Sequence, residues 1–162
     1  QNSLTRGCLM TTARQLEQPI TNLYDVDFLA WIEAQAQALR TRKASNLDWD
    51  NILEELESMG RGEKNALRSH LRVLLMHLIK WQWQPQKQSK SWATTIRNQR
   101  LDLKYLIKDS PSLKRLIPEM LPDAWSNAAD EAAFEAELPI STFPELCPWD
   151  IDTQILANWW PE

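Results

Sequence analysis

Glycine is scarce in this sequence, with only three among 162 residues. Hairpin turns and phosphate-binding loops use glycine for backbone conformations that other residues avoid. The scarcity disfavours β-rich folds and glycine-rich nucleotide sites, and it favours helices. Apolar runs are also short: none approaches the roughly 18 residues that a transmembrane helix needs, so we expect no membrane contact.

Cysteine is nearly absent as well. Cys8 and Cys147 form neither a disulfide framework nor a zinc quartet, a pattern typical of a reducing compartment, and we expect a cytoplasmic protein. Cys147 would be a nucleophile only if a histidine packed beside it; otherwise it is a buried structural residue. The chain has no HExxH motif and no nucleophile elbow. We therefore predict no catalytic residue and no cofactor, and a non-catalytic protein is favoured over an enzyme.

The apolar fraction of 43% is enough for one hydrophobic core in a chain of this length. We assign residues 1–23 to an N-terminal tail and 24–162 to one helical-bundle domain of about five helices. Helices are predicted at about 25–41 with Asp25 as cap, from Asp48 to a stop at Gly60, at 63–83, at 89–109 with a serine cap, and after Ser110.

Proline shapes the last third of the chain. Pro118 and Pro122 each lack an amide donor and should kink or split the helix that follows Ser110. The stretch "LPISTFPELCPW" contains three further prolines, which predicts an extended segment lying across the bundle. A last short turn is predicted near 150–157.

Helical spacing predicts which side chains are buried. For the first helix, the predicted apolar face consists of Phe28, Trp31, Ile32 and Leu39. For the central helix it consists of Leu67, Leu71, Leu74, Leu75, Leu78 and Trp81. For the fourth it consists of Trp92, Ile96, Leu103, Leu106 and Ile107, and for the last of Leu121, Trp125, Ala128, Ala129, Ala132 and Ala136.

The stretch "HLRVLLMHLIKWQWQ" places His70 and His77 seven positions apart on the central helix. Two turns separate them by about 10 Å along the axis, too far to share one ion without ligands from other helices. Carboxylates at Glu54 and Glu57 are candidates for such ligands, and a bundle-core metal site stays open. The alternative is that both histidines border the core, each with one ring nitrogen hydrogen-bonded.

Charge is distributed unevenly. Residues 1–59 hold 5 Lys/Arg and 9 Asp/Glu, residues 60–115 hold 13 and 3, and residues 116–162 hold 0 and 10. On helical wheels the cations form two ridges beside apolar faces. The first ridge is Arg61, Lys64, Arg68 and Arg72; the second is Arg97, Arg100, Lys104 and Lys108. An acidic ridge on the last helix is Glu119, Asp123, Asp130 and Glu137.

These ridges allow two interpretations. Opposite charges can form ion pairs inside the fold or across a dimer, which leaves little uncompensated charge on the surface. If the acidic residues 119–137 face elsewhere, the basic ridges of residues 61–108 are free to bind an acidic protein or a nucleic-acid backbone. Trp83 lies about 160° from the apolar stripe of its helix and would then be a stacking platform for bases.

Four stretches together resemble a known family. They are "YDVDFLAWIEAQAQALR", "LDWDNILEELESMGRGEKNALRSHLRVLLMHLIKWQWQP", "SWATTIRNQRLDLKYLIKDSPSLK" and "LPISTFPELCPWDIDTQIL". Over about 24–158 the chain resembles the bacterial family called domain of unknown function twenty-nine, frequent in cyanobacteria. The resemblance implies a small all-helical bundle and no established activity, and it assigns no catalytic residue. Pro118 and Pro122 depart from the continuous helix expected there.

The leading hypothesis is a protein-interaction or regulatory module that self-associates or docks an acidic partner through the cationic ridges. RNA or DNA binding through the same ridges and Trp83 is the alternative. A metal-dependent helical protein using His70, His77, Glu54 and Glu57 is the third.

Overall fold

The computed structural model describes residues 20–162, with side chains from residue 23 onward. No β-strand occurs within this range, and the predicted all-α class is confirmed. The predicted tail of residues 1–23 lies mostly outside the described residues. The α-helices are α1 (Ile20–Val26), α2 (Phe28–Arg40), α3 (Trp49–Trp83), α4 (Lys90–Asp109) and α5 (Ile117–Ala136).

Shorter helical turns lie between and after these helices. They are 3-10 turns at Ala44–Asn46, Pro85–Lys87, Pro111–Leu116 and Ile140–Thr142, and a π-helical turn at Ile151–Ile155. The last agrees with the turn predicted near 150–157. The internal contacts divide the chain into two units, one ending at Glu57 and the other spanning Ser58–Glu162. That 24–162 forms one domain stays a prediction.

The predicted first helix is two helices, because Asp27 interrupts it. Its carboxylate accepts a hydrogen bond from the Ala30 amide at 3.0 Å, so Asp27 rather than Asp25 caps α2. In the unit that ends at Glu57, Trp31 is buried and its indole N–H donates to the Asp48 carboxylate at 3.1 Å. Gln35 accepts from the Asp48 amide at 2.8 Å.

These contacts pair the middle of α2 with the start of α3, while Tyr24 donates to Glu55 further along α3. Residues 24–40 and 48–55 therefore run antiparallel, as a helical hairpin closed by residues 41–47. Asp48 holds the start of α3, since its carboxylate also accepts from the side chain of Asn51 at 2.8 Å. Burial raises the pKa of Asp48, but hydrogen bonds from Asn51 and Trp31 outweigh it and lower the pKa.

The prediction that a helix stops at Gly60 is wrong, because α3 continues through Gly60 and Gly62 to Trp83. Pro85 follows the end of this helix, as predicted. A glycine costs a helix interior only about 1 kcal/mol relative to alanine, which neighbouring helix formers can offset.

The unit Ser58–Glu162 packs around the leucines of α3. Leu67, Leu71, Leu74, Leu75 and Leu78 are all 0% exposed, and the predicted central stripe is confirmed except that Trp81 is half-buried. On α4, Ile96 and Leu103 are fully buried while Trp92, Leu106 and Ile107 are half-buried. On α5, Trp125, Ala128, Ala129 and Ala132 are buried, while Leu121 and Ala136 are half-buried.

Prolines affect α5 less than predicted. Pro118 lies in its first turn, where an amide donor is not needed, and the helix runs on through Pro122 without a break. The prediction was that these prolines kink or split the helix, and neither proline splits it. The irregular backbone lies before α5 instead, in the 3-10 turn Pro111–Leu116. Ser89 caps α4 as predicted, accepting from the Trp92 amide at 3.2 Å.

Alanine at either glycine of α3 should stabilise the protein. A Cβ at Gly60 or at Gly62 would meet no atom within 4 Å. Each substitution, Gly60→Ala and Gly62→Ala, should raise the free energy of unfolding by about 0.5–1 kcal/mol, because alanine restricts the unfolded chain. Urea unfolding measures the change. Gly60→Pro serves as the opposite control and should cost about 3 kcal/mol; a loss of stability in both alanine variants would contradict a continuous helix.

Candidate functional site

The first cationic ridge, on α3, is partly neutralised inside its own unit. Arg72 forms an ion pair with Glu131 of α5, and Lys80, two turns further along, pairs with Glu135. Arg68 donates to Asn65 at 2.7 Å, while Arg61 and Lys64 are exposed. Partly exposed pairs of this kind contribute up to about 1 kcal/mol each.

The carboxylates in these pairs are not those of the predicted acidic ridge. Glu119, Asp123, Asp130 and Glu137 are exposed, on the opposite edge of the apolar stripe of α5 from Glu131 and Glu135. The stripe faces the core through alanines, and its two edges are similar in sequence. Ion pairs between the basic residues 60–115 and the acidic residues 116–162 therefore form, but they use Glu131 and Glu135 and not the predicted acidic ridge.

The second ridge, on α4, has a different environment. Arg97, Lys104 and Lys108 are exposed, and none has an ion-pair or hydrogen-bond partner within residues 23–162. Arg100 is half-buried and donates to the carbonyl oxygens of Ile155 (2.9 Å) and Gln154 (3.0 Å). The free cationic surface of this unit is therefore concentrated on α4.

Trp83 belongs to an aromatic cluster and is not a free platform. Its ring centroid lies 5.5 Å from that of Phe143 and 6.1 Å from that of Trp149, and the side chain is half-buried against the core. Trp149 in turn packs on Trp125 at 5.2 Å, and the Trp125 indole donates to the Pro144 carbonyl at 2.8 Å. The proline-rich segment supplies the partners that make Trp83 a packing residue.

Both histidines have neighbours of the kind expected at a core border. His77 Nδ1 donates to the Val73 carbonyl at 2.9 Å, and His70 Nδ1 donates to Gln99 at 2.8 Å, with Asp102 4.0 Å away. Glu54 and Glu57 are exposed. Across the described part of the chain, no three His, Cys, Asp or Glu side chains converge as metal ligands do.

Cys147 is a poor nucleophile at neutral pH. Burial raises the pKa of its thiol to about 11, although a contact with the Trp149 carbonyl lowers it slightly. Since the thiolate is the reactive form, this residue is held as a protonated, half-buried thiol. Cys8 lies outside the described residues.

Sequence reasoning missed an exposed apolar surface on the hairpin, over residues 24–56. Of the predicted apolar face of α2, only Trp31 is buried; Phe28, Ile32 and Leu39 are exposed. On α3, Trp49, Leu53 and Leu56 are 62%, 56% and 60% exposed. Each trio has the i, i+4, i+7 or i, i+4, i+11 spacing of one helix face. We call these the α2 strip (Phe28, Ile32, Leu39) and the α3 strip (Trp49, Leu53, Leu56).

The spacing of the α3 strip was visible in the sequence, but its exposure was not. A helix stripe normally faces a core. The apolar stripe of α2 is wider than the surface that α3 buries. The buried residues of α2 are Trp31, Gln35 and Ala38. The second edge of the stripe stays in water.

Fold and surfaces define an all-helical protein whose candidate sites are an apolar hairpin and a cationic helix. None of the helices within residues 20–162 combines the length and apolarity that a bilayer span requires. The chain belongs to the family described as Domain of unknown function DUF29, which matches residues 23–160. No curated protein and no solved structure matches the chain.

His77 should make stability depend on pH. Burial and nearby Lys80 lower its pKa below 6.5, and this outweighs the opposite effects of Val73 and Glu135. The unfolded chain then binds the proton more readily, so stability should fall as pH drops through about 6.5. His77→Gln should lose less stability than the wild type between about pH 7.5 and pH 5.5. Thermal unfolding at the two pH values tests this, and an equal loss in both proteins would contradict it.

Proposed function

We propose that this protein is a non-catalytic interaction module that self-associates through the α2 and α3 strips. The observation that carries the proposal is the exposure of six large apolar side chains on one antiparallel hairpin. Large apolar side chains exposed together on one face of a helix mark sites of protein association, since ordinary monomers rarely expose contiguous apolar surface. The occupant is a second copy of the chain.

The size of the strips fits a dimer interface. Their six side chains expose on the order of 700 Å² of surface, judging from the area of large apolar residues. The largest apolar patch of an ordinary monomer is about 300–600 Å². A stable interface buries about 800 Å² on each partner, so the two strips supply most of one side.

The charges at the two ends of the hairpin favour a second copy over an unrelated partner. The turn end carries three cations, Arg40, Arg42 and Lys43, against one exposed carboxylate, Asp50, whereas the end where α1 meets α2 carries Asp25 and Asp27. A two-fold axis across the strips, with the hairpins antiparallel, would bring the basic end of each copy to the acidic end of the other. Such an arrangement is isologous and closed, and the complementary ends would fix its direction.

A carboxylate in the α3 strip should weaken association. Leu53→Glu places a charge where the proposed partner would exclude water, and we expect the dimer to weaken at least tenfold, about 1.4 kcal/mol or more. Leu146→Glu is the matched control: Leu146 is 68% exposed in the other unit and should leave association unchanged. Sedimentation equilibrium measures both. A wild-type chain that stays monomeric at about 1 mM, the Kd of a negligible interface, would contradict the proposal.

Charge reversal tests the antiparallel direction. Asp25→Lys and Lys43→Glu should each weaken the dimer, because each puts like charges together at the hairpin ends. The double variant should recover most of the wild-type affinity, since the pairs are restored with exchanged signs. The antiparallel direction is ruled out if neither single variant weakens the dimer, or if the loss of affinity in the double variant equals the sum of the two single losses. Leu53→Glu still tests the strips in either case.

A further inference from the structure

The unit Ser58–Glu162 contains an open groove of about 400 Å³ beside α4, within the range of small-molecule sites. Four cations line it, namely Arg97, Arg100 and Lys104 from α4 and Lys114 from the 3-10 turn Pro111–Leu116. Between them the wall is apolar, formed by Leu101, Ile107 and Leu156.

Positive charge in this groove is poorly compensated. Its one carboxylate, Asp152, is 2.8 Å from Lys114 and neutralises that residue. Arg97 and Lys104 have no partner within residues 23–162. Since they lie seven residues apart on one helix, their side chains share a face two turns apart along the groove.

Arg100 adds a cation that is held in place. Its Nε and Nη2 donate to the carbonyl oxygens of Ile155 and Gln154, and its guanidinium lies 5.8 Å from the ring centre of Trp160. Nη1 is buried and has no hydrogen-bond partner in the described structure. Burial lowers the pKa of Arg100 to about 10, so it stays protonated at neutral pH. None of these contacts supplies a negative charge.

We propose that this groove binds a small anionic amphiphile, a molecule with a carboxylate or phosphate head and an aliphatic tail. The head would lie between Arg97, Arg100 and Lys104, and the aliphatic part would pack on Leu101, Ile107 and Leu156. The inference goes beyond self-association and does not use the residues of either strip.

The lining favours an aliphatic ligand over a nucleotide or a single-stranded nucleic acid. Bases bind by stacking on aromatic rings, and none of the side chains that line the groove is aromatic. Arginine pairs with both carboxylate and phosphate through parallel N–H donors, so the head can be either group. Carboxylate and phosphate heads share this pairing chemistry, and probes that carry one or the other distinguish them.

The test is isothermal titration with four probes: octyl phosphate, octanoate, octanol and inorganic phosphate. Octyl phosphate or octanoate should bind at least about tenfold more tightly than octanol and than inorganic phosphate, because only they offer both head and tail. Whichever of the two binds more tightly identifies the head group. Binding of octanol or of inorganic phosphate as tight as that of both amphiphiles, or no binding at about 1 mM, would overturn the proposal.

Variants locate the site. Lys104→Glu and Arg97→Glu, both exposed positions, should weaken the tighter amphiphile at least about tenfold. Lys108→Glu is the matched control, since Lys108 is also exposed, one turn further along α4, but does not line the groove. It should change the affinity by less than about twofold. Equal losses in all three would show general surface attraction and would overturn the site. Thermal midpoints confirm that each variant is folded.

Discussion

The enclosure of the leucine side of α3 is the constraint on which the unit Ser58–Glu162 depends. Five leucines between Leu67 and Leu78 are completely removed from water, each worth about 2 kcal/mol in transfer free energy. That enclosure needs cover from α4, from the alanine stripe of α5 and from the segment after Glu137. Once α3 is packed in this way, the residues that lie beside its polar edges are also set. Those neighbours decide which charged side chains find a partner.

The two cationic ridges differ because of this packing. Arg72 lies on the edge of α3 that meets α5, where Glu131 is available. Arg97 and Lys104 lie on α4 next to the residues that follow Asp150, where Asp152 is already paired with Lys114. The formal charge of −4 for the chain hides this difference, since a carboxylate compensates a cation only within reach. Within the unit Ser58–Glu162, the uncompensated cations of the two ridges are therefore mainly those of α4.

Helical periodicity in the sequence predicted features that depend on a single helix. It predicted less well those features that depend on how two elements pack together. The stripe of α3 was predicted because burial at helical spacing is a property of the helix alone. Gly60 was misread because a cost of about 1 kcal/mol does not end a helix. Glu131 was missed because only the partner helix selects one edge of a narrow stripe. Trp83 was misplaced because its ring contacts come from a distant, irregular segment. The exposure of Leu53 depends on what covers α3, which no local pattern records.

The aromatic cluster has a consequence for synthesis. Trp81 of α3 packs against Trp160 at 4.7 Å, and Trp149 packs against Trp159 at 5.7 Å, so indoles near residue 160 supply part of the cover of the core. During translation the leucines of α3 leave the ribosome long before these indoles do. Until those indoles have been synthesised, the nascent chain must hold the apolar face of α3 without its complete cover, a state that chaperones recognise.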